Sequence, residues 1–257
     1  MRLLRHSWYL ALRHIRALLR QPIWIALTLF QPLIWLLLYG QLFRRVVELP
    51  GFGAGSYITF LTPGIVCMSA MFSSGWTGMG IIRDLDTGVI DRFLVSPASR
   101  AAIIIGRLVS LALTILTQTA ILALIGVVLG ARYGGGLWGV LALFACSILL
   151  AMPFGALSLA MALAVRKEES LIGAVNFLLL PLTFLSPVFM APGLMPDWIR
   201  MVANVNPVNW AVSASRSALA GGADASGVLL RMGLLALFGL VGARLATASF
   251  RAYQRSV

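Results

Sequence analysis

The chain has 257 residues, 60% of them hydrophobic and only 11% charged, with a mean hydropathy of +0.94; soluble domains average about 45–50% apolar and 25% charged, so a water-soluble globule is excluded and an all-α integral membrane protein is expected. The net charge is +12, yet 19 of the 20 cations are Arg and the one Lys is Lys167, within Arg166-Lys167-Glu168. A phosphate-binding P-loop needs Gly-Lys-Ser/Thr, so a P-loop ATPase is excluded, and the short basic runs beside apolar segments read as membrane flanks rather than as a nucleic-acid surface.

Residues 1–22 form the first element. At about 100° per residue, Arg2, Arg5, Arg13, Arg16 and Arg20 fall within an arc of roughly 80°, opposite Leu4, Trp8, Ala11, Ile15 and Leu18. This predicts an amphipathic helix lying along membrane lipid, its cations toward anionic headgroups. The apolar run that follows exceeds the 7–15 residues of a signal-peptide core, so a retained span is expected.

Six runs approach or exceed the roughly 20 apolar residues that cross a bilayer: residues 23–43, 58–82, 103–129, 137–164, 171–189 and 228–250. The longest stretch between them, 190–227, is too short for a catalytic domain of ordinary size, so a single transmembrane domain is expected over 1–257. With the N-terminus inside, 14 cations fall on the cytoplasmic side and 6 outside, which predicts cytoplasmic termini. Pro32, Pro63, Pro153, Pro181 and Pro187 in or near spans predict packing kinks. Ala156, Ala160 and Ala164, like Ser74 and Gly78, have the four-residue spacing that permits close helix contact. Cys67 and Cys146, both in apolar runs, read as small buried hydrophobes with no disulfide or metal site implied.

The six runs contain no Asp, Glu, His or Lys, and their three Arg, Arg107, Arg231 and Arg244, lie near enough to an end to snorkel. An ion-coupled carrier places ionisable groups inside its spans, and an intramembrane enzyme needs a catalytic set; neither can be assembled here. The polar residues left, among them Ser69, Ser73, Ser74, Ser110, Thr114, Thr117, Gln118, Ser147, Asn176 and Thr183, suit an amphipathic cargo or simple bonding between helices.

Residues 83–100 carry three of the eight acids, Asp84, Asp86 and Asp91, beside Arg83, Arg92 and Arg100. Thr87-Gly88 reads as a break, Val89, Ile90, Phe93 and Leu94 as a short apolar face, and Ser96-Pro97 as the end. A short amphipathic helix in this position suits docking into the groove of a soluble partner, or a solvated turn.

That loop, Gly106-Arg107 opening the third span, six spans and the long outer segment together resemble the ABC-2-type permeases, in particular the bacterial drug-resistance exporters of the daunorubicin type. The resemblance implies an exporter in the bacterial cytoplasmic membrane. Two permease chains, a second copy or a paralogue, would pair with two nucleotide-binding ATPase subunits, and no cofactor would sit on this chain because ATP and magnesium are held by the partner. Asp84 to Leu94 would be the coupling helix seated in the ATPase. Residues 190–227 would form short re-entrant outer helices, with Asn206, Pro207 and Trp210 in a stretch similar to the family's Asn-Pro segment. The cargo would be a drug, lipid or glycolipid; a polysaccharide or lipo-oligosaccharide exporter with a polymer channel, and a stand-alone passive pore, are the alternatives.

Overall fold

The computed structural model describes residues 22–49, 52, 55–87, 100–221 and 225–254, the side chains of 22–27, 100–104 and 245–254 excepted. The expected interfacial helix, with Arg2, Arg5, Arg13, Arg16 and Arg20, and the loop segment Gly88, Val89, Ile90, Asp91, Arg92, Phe93 and Leu94 lie outside the described residues. Every regular element among those described is helical.

The first apolar run is α1, Pro22–Ile34, continued by a π turn over Trp35–Tyr39 and a short α turn over Gly40–Leu42. Pro32 sits inside α1, where it has no N–H to give the helix, and the wider turn follows within one helical turn of it. The second run is broken: α2, Tyr57–Gly75, passes through a 3₁₀ turn, Trp76–Gly78, into α3, Met79–Asp86. Then come α4, Arg100–Val128, α5, Gly136–Val165, and α6, Glu168–Phe184. Two short helices, α7, Asp197–Asn204, and α8, Pro207–Ala220, precede α9, Ala225–Gln254.

Among the described residues, four helical stretches are long and apolar enough to cross a membrane: Tyr57–Asp86, Ile105–Val128, Gly136–Val165 and Ala225–Arg244. The apolar part of the first helix, Thr28–Leu42, is shorter, and α6 has 17 residues. The expected fifth span, 171–189, therefore needs correction: its helix begins three residues earlier and stops at Phe184. Glu168 and Glu169 in the first turn favour the early start through the helix dipole. Ser186-Pro187 disfavours continuation, because the residue before Pro is pushed out of the α region.

α5 is the hub, packing against α9, α8, α2 and α4. Over its first half it buries one side, with Leu143, Cys146 and Leu150, and leaves Leu137, Trp138 and Leu141 exposed. From Pro153 to Leu163 the buried residues, Phe154, Ala156, Leu159 and Leu163 among them, go round the helix, as expected where an apolar helix is enclosed by others. α9 instead packs along one stripe of Val228, Leu235 and Gly242, and leaves Leu229, Leu230, Leu237 and Leu240 exposed. Gly242 lies on the Pro153 backbone, where a Cβ would come within 3.1 Å of the Pro153 Cα. Of the small residues at four-residue spacing, Ala156 and Ala160 are buried together while Ala164 is exposed.

The helices alternate between two ends. At one, here the loop end, residues 80–84 meet Arg107 and Glu168. At the other, the cap end, Tyr57 Oη donates to the Phe189 carbonyl at 3.1 Å and the Gly135 N–H to the Leu219 carbonyl at 2.9 Å.

Candidate functional site

At the loop end the second span runs on past its expected end at residue 82, so Arg83, Asp84 and Asp86 are the last turn of α3 and not part of a separate helix. Thr87 ends it as the sequence suggests, its hydroxyl donating to the Arg83 carbonyl at 2.8 Å. Adjacent positions on a helix point about 100° apart, and here they reach different neighbours. Arg83 Nε donates to Glu168 Oε1 on α6 at 3.0 Å. Asp84 Oδ2 accepts from Arg107 Nη2 on α4, and the same Nη2 donates to the Gly80 carbonyl at 3.0 Å. Arg107 thus does not snorkel free: it is neutralised by an acid one span away.

The break above α3 is held by α5. Ser158 Oγ donates to the Gly75 carbonyl and accepts from the Gly78 N–H at 3.0 Å, so one hydroxyl serves both backbone groups that the 3₁₀ turn takes out of the α ladder. Between the two ends the hydroxyls mostly turn inward on their own helices. Ser69, Ser74, Thr114, Thr117, Ser147 and Thr183 each donate to a carbonyl three or four residues back. Ser73 Oγ, by contrast, donates to Gln118 Oε1 at 2.9 Å and so joins one span to another.

At the cap end the Asn-Pro segment is a structural knot. Asn206 caps α8 by accepting from the Val208 N–H at 2.9 Å, and Pro207 occupies the first helical position, where its missing N–H costs nothing. The Asn206 amide donates to the Leu182 and Leu185 carbonyls at 2.7 and 2.9 Å, satisfying the frayed end of α6. Trp210 Nε1 donates to the Asn204 carbonyl at 2.7 Å, and Asn209 Nδ2 to the Ala203 carbonyl at 2.9 Å. Amphipathic α7 leaves Trp198, Met201 and Val202 exposed, and Val205 just past its end is exposed as well.

Two features of this end went unread in the sequence. Arg216 on α8 places Nε on the Phe60 carbonyl at 2.9 Å, Nη1 on Pro187 at 2.5 Å and Nη2 on Val188 at 2.8 Å, and its guanidinium carbon lies 3.4 Å from the centroid of the Phe60 ring. Burial disfavours its charge, and the three accepting carbonyls and the ring face compensate a guanidinium that stays protonated. Gly64 makes the room, because a Cβ there would sit 2.7 Å from the Val188 carbonyl oxygen. The second feature is the pair Gly134 and Gly135, with Gly139 one turn on, where a Cβ would run into the backbone of Ala218–Ala220. A chain of aromatic rings, Trp35, Tyr39, Phe43, Tyr57 and Phe60 with Phe189, lines the same end at centroid separations of 4.6 to 6.2 Å.

A family model described as ABC-2 type transporter matches residues 5–220. The chain is 28% identical over 246 residues to the daunorubicin resistance ABC transporter permease protein DrrB1 of Streptomyces coeruleorubidus, covering 94% of this chain and 84% of that one. It is 28% identical over 198 residues to the putative transport permease ycf38 of Cyanophora paradoxa, covering 77% and 68%. With the probable doxorubicin resistance ABC transporter permease protein DrrC of Mycobacterium tuberculosis the identity is 26% over 162 residues, covering 63% and 58%.

Proposed function

This chain belongs to the ABC-2 type transporter family and is a multi-pass membrane subunit rather than a catalytic one, and from that premise we propose that it is the permease of an exporter for hydrophobic or amphipathic compounds. The observation that carries the reading is the match along 94% of the chain to a daunorubicin resistance permease. The apolar runs without a carboxylate support it, since a transporter lacking buried acids needs its energy from elsewhere.

In this reading six helices cross the cytoplasmic membrane, both termini lie inside, α7 and α8 are re-entrant at the outer face, and two permease chains enclose the path. A separate ATPase holds ATP and magnesium and docks on the 83–100 loop. Nucleotide-driven closure of the ATPase pair pushes on that loop and tilts the spans, exposing the path outward. A polymer channel for polysaccharide would need aromatic side chains free to stack on sugars. The rings from Trp35 to Phe60 at the cap end pack against one another, mostly tilted, with Phe60 also under Arg216. Those rings are therefore taken, while Trp198 at that end is exposed, and the small amphipathic cargo is favoured.

The test is reconstitution of the chain with and without its co-encoded nucleotide-binding subunit, with daunorubicin as probe. ATP-dependent accumulation in inside-out vesicles, only when both chains are present, is the expected result. Equal flux through the chain alone without ATP would make it a passive pore instead.

A further inference from the structure

The segment between the break in the second span and the start of the third is built as a closed stem. α3 leaves the 3₁₀ turn Trp76–Gly78 and ends at Thr87; the chain returns in α4 at Arg100. Arg107 lies two turns into α4, and its guanidinium crosses to α3, where one nitrogen serves both the Asp84 carboxylate and the Gly80 carbonyl. Gly80 is part of this arrangement, because a Cβ there would collide with Arg107 Nη1. The neighbouring pair, Arg83 with Glu168, ties the same turn to α6, but the Arg83 side chain is 64% exposed against 23% for Arg107, so water screens it more.

We infer that Arg107 is a positioning residue for coupling: through Asp84 and the Gly80 carbonyl it binds the two stems of the 88–99 loop into one body, so that a push on the loop moves α4 together with α3. This rests on the reading above that an ATPase docks on the loop. Without the cross-link, the 3₁₀ turn is the weak point of the second span. α3 would then pivot at Trp76–Gly78 and the stems would splay, and the push would be absorbed locally before it reached the bundle.

The Gly80→Ala variant separates this from a general loss of structure. It keeps every charged residue, substitutes a better helix former, and asks only the far end of a flexible side chain to swing aside. Arg107→Ala, Arg107→Lys and Gly80→Ala are each compared with wild type as the permease–ATPase complex in proteoliposomes. Three readouts are taken: ATPase retained on the permease, thermal melting, and daunorubicin exported per ATP hydrolysed. Expected is retention within about twofold of wild type and a drop of about tenfold in export per ATP for Arg107→Ala and Gly80→Ala, with Arg107→Lys, still able to reach the acid, in between.

Wild-type export per ATP in Gly80→Ala or Arg107→Ala overturns the inference. So does a parallel loss of melting temperature and ATPase retention in Gly80→Ala, which would make the contact structural only. Failure of the wild-type chain itself to retain an ATPase would instead sink the reading on which the inference stands.

Discussion

Ser158 on α5 bonds to both sides of the break in the second span, donating to the Gly75 carbonyl and accepting from the Gly78 N–H at 3.0 Å. Ser158→Ala leaves a donor and an acceptor unpaired in an apolar interior, a loss of about 1–3 kcal/mol for each buried group left unsatisfied. Gly78→Ala is expected to be worse, because the new Cβ meets the Ser158 backbone as well as its side chain, and backbone cannot swing away. Thermal melting of the purified variants in one detergent gives the order wild type, Ser158→Ala, Gly78→Ala; an equal or inverted order would remove the stitch from the account of the break.

Gly64 and Arg216 form a second matched pair. Arg216→Ala abandons the Phe60, Pro187 and Val188 carbonyls, and Gly64→Ala drives a methyl into the same Val188 carbonyl and toward Arg216 Nη2, 3.2 Å away. Both are expected to loosen α8 from α2, read as faster proteolysis within 190–221. Since they act on one contact, the double variant should fall well short of the sum of the singles. Full additivity would mean that Gly64 and Arg216 serve unrelated contacts.

The glycines sort into two classes by what surrounds them. Gly135→Ala places a Cβ against the Ala218 carbonyl, with Gly139 behind it, whereas a Cβ on Gly173, exposed on α6, meets nothing within 4 Å. Gly135→Ala is therefore expected to disrupt the contact between α5 and α8 and to lower expression of folded protein. Gly173→Ala should raise stability by about 0.5–1 kcal/mol through helix propensity alone. Fluorescence-detected size exclusion over a temperature series measures both.

The long helices were legible because hydropathy is a local property. The third, fourth and sixth apolar runs match α4, α5 and α9 to within about four residues at each end. What escaped was set by partners distant in sequence. The fifth helix stops at Phe184, which Ser186-Pro187 signals locally, but the partner that takes its free Leu182 and Leu185 carbonyls, the Asn206 amide, lies more than twenty residues on. Asp84 reads as a loop acid until Arg107, 23 residues on, is seen to hold it. Arg216 reads as one outer cation among six, because a guanidinium satisfied by three carbonyls and a ring leaves no acid to signal its burial. The start of α8 was readable: Asn206-Pro207 is a cap followed by Pro at the first helical position.

Asp91 and Arg92 lie beyond Thr87, past the end of α3, on the segment proposed to enter the ATPase. If that segment is the docking element, the double substitution Asp91→Ala with Arg92→Ala removes its charged contacts while leaving the Asp84–Arg107 stem intact. The expected outcome is a permease that inserts and melts like wild type but no longer stimulates ATP hydrolysis when daunorubicin is added. This differs from the Gly80→Ala variant, in which the ATPase still docks and hydrolyses while export per ATP falls. The two phenotypes assign the tip of the loop to contact and its stem to transmission. Wild-type stimulation by the double variant would place the docking element elsewhere on the loop end, with the two-residue turn at Arg166 and Lys167, between α5 and α6, as the next segment to test.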